Sequence, residues 1–258
     1  RCCAMRVITF RVRTAVLAAA FAAALALASF GAYASDAAAV YWSGSRSLPV
    51  YSVEREDNKI AISFDCAWGD EYTAQLLSAL GAAQVRATFF TVQFWAEKYP
   101  EHLREIDAAG HEIGTHSATH SYMSRLSEGE IRAELASSSE AIRSVTGKAV
   151  TLFRPPYGDY DDLLVDTAAD MGLLTVQWDV DSLDWKDLSA QQIAERVIAQ
   201  TKKGSVILCH NNGLHTAEAL PIILDALKAK GFEFVPVGEL VYRENFTIDR
   251  AGRQHPNG

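Results

Sequence analysis

Five short stretches of the sequence hold the side chains best suited to hydrolytic chemistry, and each lies at or after the end of an apolar, strand-like run. They contain Asp65, His116 with His120, Arg154, Asp184 with Trp185, and His210. One such coincidence would mean little. Five that converge on one face of a sheet or barrel would form a site, because active sites of parallel α/β folds lie at the carboxyl ends of the strands.

Two of these side chains, His116 and His120, stand four positions apart. If the segment turns helically after its strand, the two imidazoles lie one above the other, which is a geometry that binds a divalent metal through two nitrogens. The spacing alone is weak evidence, and two ordinary polar histidines are the alternative.

The remaining stretches offer charged and proton-transferring groups. Arg154 precedes two prolines that fix the backbone, so its guanidinium can be held beside a carboxylate and keep it ionised; a solvated surface arginine is the alternative. Residues 179–184 contain three acids and are followed by Trp185, which is more than a solvated loop requires. His210 can transfer protons near neutral pH, although a lone histidine is more often a core or edge residue.

Apolar runs of strand length alternate along the chain with amphipathic helical segments. The runs lie at 60–64, 87–92, 112–115, 151–154, 173–179, 206–210 and 232–236, and the helical segments near 71–82, 94–108, 127–145, 160–171, 189–202 and 216–229. A helix between neighbouring strands is the right-handed crossover that joins parallel strands. Seven units predict an α/β fold whose barrel is incomplete or distorted, since a full barrel has eight.

The first 34 residues have the pattern of an export signal. Arg6, Arg11 and Arg13 precede the apolar segment 14–30, and Ala-Tyr-Ala at 32–34 is a small-x-small cleavage site. We expect cleavage after this site, with an uncleaved transmembrane anchor as the alternative. Either way the protein is expected to be secreted or to lie in the cell envelope, and stable membrane insertion requires that the signal is retained.

After the signal, residues 35–57 are interpreted as an extended lead-in, 58–245 as one domain and 246–258 as a tail. Removing residues 1–34 takes away four arginines and no acid, which changes the formal net charge from −8 to −12. Such an acidic domain argues against nucleic acid or an anionic membrane surface as a long-range partner.

Two cysteines, Cys66 and Cys209, follow the signal, which is too few for a disulfide framework. Each falls at the end of a candidate strand beside a candidate catalytic residue. We interpret them as small buried side chains, with a mutual contact or a thiolate bound to a metal as the alternatives.

The ordered motifs resemble those of the polysaccharide deacetylases with a NodB homology domain, the family-four carbohydrate esterases. The resemblance covers about residues 58–241 and rests on Asp65, His-Ser-x-x-His at 116–120, Arg-x-Pro-Tyr at 154–157, Asp-x-x-Asp-Trp at 181–185 and Leu-x-His at 208–210. It implies a distorted (β/α) barrel of seven or eight units and one divalent metal ion, with zinc expected and cobalt or nickel as alternatives. It also implies removal of N-acetyl, sometimes O-acetyl, groups from glycans such as peptidoglycan or chitin-like oligosaccharides.

The resemblance further implies a role for each motif residue. Asp65 corresponds to the general base and Arg154 to the group that orients it, while His116 and His120 correspond to metal ligands. His210 corresponds to the general acid and Asp184 to the partner of that acid. Trp185 and Leu208 correspond to the lining of the acetyl-methyl pocket, and Tyr157 to a backbone N–H donor for the oxyanion.

The first motif departs from the family pattern of two successive aspartates, because Cys66 follows Asp65. A metal ligand is therefore missing or displaced. Asp70, after Trp-Gly, is the expected replacement, and this variant resembles a subgroup associated with spore-forming bacteria. A Cys66 thiolate is the weaker candidate, since thiolates prefer closed structural zinc sites, and water is the third possibility.

Together these features predict an exported, metal-dependent deacetylase that acts on acetylated glycan. The alternative is a glycan-binding protein on the same fold, with a metal site too weak for turnover because of the altered first motif.

Overall fold

The structure, a computed structural model, describes residues 46–257, and Ser47 begins the compact unit that these residues form. The predicted export signal, 1–34, and residues 35–45 of the predicted lead-in lie outside the described residues. Within the described range, no helix is both long and apolar enough to cross a membrane.

Strands and helices alternate through most of the described chain. The strands are β1 (Ser52–Val53), β2 (Lys59–Cys66), β3 (Thr88–Thr91), β4 (Glu112–Thr115), β5 (Leu152–Phe153), β6 (Leu174–Thr175), β7 (Val180–Asp181), β8 (Val206–His210), β9 (Glu233–Phe234), β10 (Phe246–Ile248) and β11 (Arg253–Pro256). The α-helices are α1 (Thr73–Ala82), α2 (Gln93–Lys98), α3 (Pro100–Ala108), α4 (Glu128–Thr146), α5 (Asp162–Asp170), α6 (Ala190–Gln200), α7 (Thr216–Ala229) and α8 (Val237–Leu240).

Strands β2 to β9 form one parallel sheet that curls into a half-barrel. Its order is β6-β5-β4-β3-β2-β8-β7, and β9 pairs with the first two residues of β2. The longest strand is β2, which pairs with β3, β8 and β9. Seven of its eight residues are buried. The α/β class and the distorted barrel expected from the sequence are confirmed.

The described part of the lead-in pairs with residues beside two strands of this half-barrel, β6 and β8. Val50 pairs in parallel with Val176, directly after β6, and Ser52 forms an antiparallel bridge with Ser205, directly before β8. The described part of the lead-in therefore belongs to the fold.

Three boundaries differ from those expected. The run at 173–179 contains only the two-residue strand β6, because the chain pairs with the lead-in at Val176, and β7 begins just after the run, at Val180. The helix at 94–108 is two helices, because Pro100 lacks an N–H and begins α3 at its first turn. The segment named as a tail contains β10 and β11, and β11 pairs with β1 in a second, three-stranded sheet.

The alternation of side chains along β2 separates the core from the site. On one side, residues pack against the helices: Ile60, Ile62, Phe64 and Cys66. The residues between them face the interior of the half-barrel: Ala61, Ser63 and Asp65. This is the period of two that a pleated strand imposes.

Candidate active site

A cavity of about 560 Å³ opens at the carboxyl ends of the strands and contains most of the predicted site residues. Its lining consists of Asp65, Ala67, Trp68, His116, His120, Tyr157, Trp178, Asp181, Trp185, Leu208, His210 and Asn212. Arg154 and Asp184 lie behind this lining and contact Asp65 and His210. Asp70 is absent from it.

Strand pairing sets the neighbours of Asp65. Its Cα partner on β8 is His210, and its Cα partner on β3 is Phe90. The register therefore brings the residues that correspond to general base and general acid to the same level on adjacent strands.

Arg154 is fully buried and holds Asp65 in one orientation. Its Nη1 donates hydrogen bonds to Asp65 Oδ1 at 2.8 Å and to Ser63 Oγ at 2.9 Å, while its Nη2 donates to Gln177 O at 3.1 Å. The guanidinium carbon also lies 4.1 Å from the centroid of the Phe90 ring. These partners compensate the two Nη groups for the water that they lose on burial, whereas Nε is buried without a hydrogen-bond partner.

The same neighbours determine the charge of Asp65. Burial by itself would raise the pKa of its carboxyl group, but the positive charge and the hydrogen bond of Arg154 outweigh burial and lower the pKa. Asp65 is therefore ionised near neutral pH and able to accept a proton.

His116 and His120 lie next to each other, with ring centroids 4.9 Å apart. His116 Nδ1 donates to Arg154 O at 2.7 Å, because a carbonyl can only accept, and this leaves the Nε2 lone pair 3.5 Å from Asp65 Oδ2. Burial lowers the pKa of His116 and lowers that of His120 to about 4. Both imidazoles are thus neutral, the form that binds metals.

The loop that carries these histidines is not helical, in contrast to the geometry expected from the sequence. Ser117 and His120 both adopt left-handed backbone conformations, with φ of 74° and 58°. On α4, Glu134 accepts hydrogen bonds from the backbone N–H groups of Ala118 and Thr119, each at 2.8 Å, and from Thr119 Oγ1 at 2.7 Å. These contacts, rather than helical spacing, bring the two rings together.

The donor set fits two ligand positions of a divalent metal. The backbone carbonyl that accepts from His116 fixes its tautomer, and His120 Nδ1 is buried without a hydrogen-bond partner. A third protein ligand is missing: within residues 46–257, no group of three or more His, Cys, Asp and Glu side chains is arranged to hold a metal ion.

Asp70 does not approach His116 and His120, which corrects the expectation that it replaces the second aspartate as a metal ligand. Its Oδ2 lies 3.3 Å from His102 Nε2 instead. The preceding carbonyl, Gly69 O, accepts hydrogen bonds from Trp95 Nε1 at 2.7 Å and from Asn211 Nδ2 at 2.9 Å. These two buried side chains hold the loop in the orientation that directs Asp70 outward.

Cys66 is also directed away from the cavity. It follows Asp65 on a pleated strand, so its side chain lies on the opposite face, in the apolar core beneath the helices. Burial raises the pKa of its thiol well above the usual range. Cys66 and Cys209 are both buried and free, in agreement with their interpretation as small buried side chains.

Cys66→Asp is therefore expected to destabilise the protein rather than to restore a ligand. Placing a carboxylate among apolar side chains should lower the free energy of unfolding by about 3 kcal/mol or more. Urea unfolding measures this loss, and Cys66→Ala serves as the control for the lost thiol. In metal titrations, the Asp70→Ala variant should bind metal with the same affinity as the wild-type protein. Tighter metal binding by Cys66→Asp would contradict the orientation described here.

Asp184 supports His210 through two contacts. Asp184 Oδ1 accepts from His210 Nδ1 and Oδ2 accepts from the His210 backbone N–H, both at 2.7 Å, and Thr216 Oγ1 donates to the same Oδ2 at 2.7 Å. Burial would lower the pKa of His210, but the hydrogen bond and charge of Asp184 outweigh it and raise the pKa. His210 therefore keeps a proton more firmly than a free histidine.

Three further predicted residues line the cavity. Leu208 is buried, while Tyr157 and Trp185 each expose more than half of their surface. Tyr157 has a φ of 61°, which is unusual for a residue other than glycine and places it in a tight turn after the two prolines.

Sequence reasoning missed several contributors to this region. Ser63 was detectable, because it precedes Asp65 by two positions on the same face of β2. Trp178 lies inside the apolar run at 173–179, where it was read only as a strand residue. Glu134 and Thr216 gave no signal, since they lie 16 and 32 residues from Ala118 and Asp184, which they contact.

Comparison with known proteins identifies the family. Residues 52–176 match a family model described as polysaccharide deacetylase. The solved structure of the Bc1960 peptidoglycan N-acetylglucosamine deacetylase is 32% identical with a TM-score of 0.73, and the match covers 77% of this chain and 94% of that one. The chain belongs to the polysaccharide deacetylase family. The family resemblance stated from the sequence is thereby confirmed.

Two other relatives differ in the activity that is described for them. A peptidoglycan-N-acetylglucosamine deacetylase of Bacillus cereus is 35% identical over 181 residues, which cover 69% of this chain and 66% of that protein. The structure of BA3943 from Bacillus anthracis, described as a pseudoenzyme of carbohydrate esterase family four, is 30% identical with a TM-score of 0.73, covering 81% of this chain and 73% of that one. The chain spans 60% and 66% of the length of the first two curated relatives that it matches.

Proposed function

We propose that this protein is an exported, metal-dependent deacetylase that hydrolyses N-acetyl groups on the glycan of peptidoglycan, with chitin-like oligosaccharide as the alternative substrate. The observation that carries the proposal is the Asp65–Arg154 ion pair beside two neutral histidines, with the His210–Asp184 pair on the adjacent strand. Relatives named as peptidoglycan deacetylases support the substrate class, and the N-terminal pattern supports action outside the cytoplasm.

In this proposal the two sides of the cavity carry out opposite proton transfers. Asp65, kept ionised by Arg154, accepts a proton from the attacking water. His210, whose raised pKa keeps it protonated, donates a proton to the leaving amine. His116 and His120 would hold the metal ion, zinc in the first instance and cobalt or nickel otherwise, and that ion would supply Lewis-acid polarisation of the carbonyl and of water.

The remaining cavity residues position the acetyl group. The backbone N–H of Tyr157 is proposed to donate to the oxygen that becomes negatively charged, which is where a preformed donor lowers the barrier most. Leu208 and Trp185 present apolar surface for the acetyl methyl group.

Acetate release tests the function directly. The purified chain is incubated with peptidoglycan and with N-acetylated chitooligosaccharide, after chelation and after addition of Zn²⁺, Co²⁺ or Ni²⁺, with Asp65→Asn as the inactive control. We expect metal-dependent release that this substitution abolishes. Release that is equal in the chelated and metal-loaded protein would contradict metal dependence.

A glycan-binding protein without turnover is the second candidate function. Two observations favour it: the described residues offer no third metal ligand, and the relative BA3943 is described as a pseudoenzyme whose mutant has restored activity. Saturable glycan binding without acetate release under every metal condition would decide for this candidate.

Asp184→Asn is expected to shift the pH dependence of the reaction. Loss of the Asp184 charge lowers the pKa of His210, so the general acid loses its proton at lower pH and the alkaline limb of kcat/KM moves downward. The acid limb, which reports Asp65, should stay in place. A rate–pH profile measures both limbs, and an unmoved alkaline limb would refute the proposed role of this pair.

Glu134→Ala is expected to weaken metal binding by roughly tenfold to a hundredfold, the range seen when partners of metal ligands are removed. The reason is the loss of three hydrogen bonds to Ala118 and Thr119, which hold the histidine loop. A chelator competition assay measures the affinity. The control is Glu140→Ala on the same helix, where the side chain pairs with exposed Arg143. Equal affinity in both variants would show that the loop holds its shape without Glu134.

A further inference from the structure

The imidazole of His120 is surrounded by three aromatic rings. Its centroid lies 4.7 Å from the ring of Trp68, 4.5 Å from that of Tyr157 and 4.9 Å from that of His116, each in an edge-to-face arrangement. The backbone of His120 is fixed separately, because its N–H donates a hydrogen bond to Ser117 Oγ at 3.0 Å. The orientation of the side chain therefore depends on the three rings.

The two candidate metal ligands are held in different ways. His116 Nδ1 donates a hydrogen bond to the carbonyl of Arg154, whereas His120 Nδ1 is buried without a hydrogen-bond partner. A histidine that binds a metal ion normally has its other ring nitrogen hydrogen-bonded, and that contact sets the direction of the ligating nitrogen. For His120, packing against the neighbouring rings has to supply this restraint.

Trp68 is the ring that the altered first motif contributes. It follows Cys66 by two positions, and its indole is 54% exposed, so the ring is not part of the hydrophobic core. Its ring contacts are with His120 and, at 6.5 Å between centroids, with Phe94. Tyr157 is already proposed to donate to the oxyanion, whereas Trp68 has no other proposed role.

The loop that carries Trp68 is fixed by buried side chains. The carbonyl of the next residue, Gly69, accepts hydrogen bonds from Trp95 Nε1 at 2.7 Å and from Asn211 Nδ2 at 2.9 Å, and both of these residues are fully buried. The position of the indole against His120 is therefore built into the fold. A side chain that is held in place before its ligand arrives loses less conformational entropy on binding.

We propose that Trp68 is a positioning residue for metal binding, and that its indole holds the His120 imidazole in the orientation that binds the ion. The inference rests on the proposed function, because it takes His120 as a metal ligand. Packing by Trp68 does for His120 what the carbonyl of Arg154 does for His116. The orientation of each imidazole matters more here than in a site with three protein ligands, since residues 46–257 supply no third one.

Chelator competition with Zn²⁺ on the full chain tests the proposal. Trp68→Ala should weaken Zn²⁺ binding by roughly tenfold to a hundredfold, the range seen when partners of metal ligands are removed. Trp68→Phe should bind Zn²⁺ within about threefold of wild type, because a phenyl ring keeps an aromatic contact with the imidazole. The matched control is Trp185→Ala, which removes an indole of 56% exposure from the same cavity and should leave Zn²⁺ affinity unchanged.

A double-mutant cycle shows whether Trp68 acts through His120. When Trp68→Ala is added to His120→Ala, we expect no further loss of Zn²⁺ affinity. When it is added to His116→Ala, the affinity should fall again, because His120 is still present to be positioned. A further loss in the His120→Ala background would overturn the inference, as would a Trp68→Ala variant that binds Zn²⁺ like Trp185→Ala.

The outcomes separate this inference from the function on which it rests. Zn²⁺ affinities that follow the expected pattern without acetate release would refute the deacetylase and support the positioning role of Trp68. Zn²⁺ binding that requires His120 but is unchanged in Trp68→Ala would overturn the inference alone, and full affinity in His120→Ala would overturn both. An affinity loss that Trp68→Phe does not restore, together with a lower free energy of unfolding of the metal-free protein in urea, would assign Trp68 to the fold and also overturn the inference.

Discussion

His116→Ala and His120→Ala are each expected to reduce metal affinity by at least about a hundredfold and to remove nearly all metal-dependent acetate release. Each substitution deletes one of the two imidazoles that face the cavity, and removing a ligand costs more than removing a ligand's partner, for which the range is tenfold to a hundredfold. The rate should fall by about a thousandfold or more, because Lewis-acid polarisation contributes several kcal/mol.

The fold should survive both substitutions, since the histidines lie at and beyond the end of β4 and not between the sheet and the helices. The measurements are bound metal per chain, acetate release and urea unfolding on the same preparations. His255→Ala is the matched control, because that imidazole lies on β11 between Glu54 and Asp249, remote in sequence from the site. Full metal occupancy in both site variants would remove these two residues from the ligand set.

Arg154→Met should lower the free energy of unfolding by about 3–5 kcal/mol, the cost of leaving one partner of a buried ion pair unpaired. Asp65 would lose the hydrogen bond and the charge that keep it ionised inside the fold. Its pKa should rise, so the acid limb of the rate–pH profile should move upward. Activity should fall together with stability.

A double-mutant cycle isolates this ion pair. Adding Asp65→Asn to Arg154→Met removes the buried charge, so the double variant should recover part of the stability lost by Arg154→Met alone. Arg132→Met is the control, since that exposed arginine pairs with Glu128 and Asp170 at the surface and should cost less than about 1 kcal/mol. Equal stability losses for Arg154→Met and Arg132→Met would show that the buried pair contributes no more to the fold than an exposed one.

Much of the fold could be predicted because its cause is local. The apolar run before Asp65 makes β2 a buried strand, and glycines and capping patterns mark where helices begin and end. Pro100 also carried enough information to divide the helix in which it was included. The short strands β10 and β11 carried too little, because they form only by long-range pairing, β11 with β1 and β10 with β11.

The candidate site, like the fold, could be predicted from the sequence only in part. The sequence by itself determined which chemical groups are present and that strand ends would gather them, since crossover helices make the strands parallel. It also contained the orientation of Cys66, because adjacent residues on a strand face opposite sides. The tertiary structure alone decided that Asp65 and His210 share a register and that Arg154 is buried against Asp65.

Tertiary contacts also decided where Asp70 points. Its loop is anchored by Trp95 and Asn211, which lie 26 and 142 residues from Gly69 in the sequence, so no local pattern could reveal the anchor. A loop without its own periodic structure takes its direction from the buried partners that satisfy its backbone groups. Those partners are brought there by the folding of the sheet, and for this reason the residue types of the site followed from the sequence while the third metal position did not.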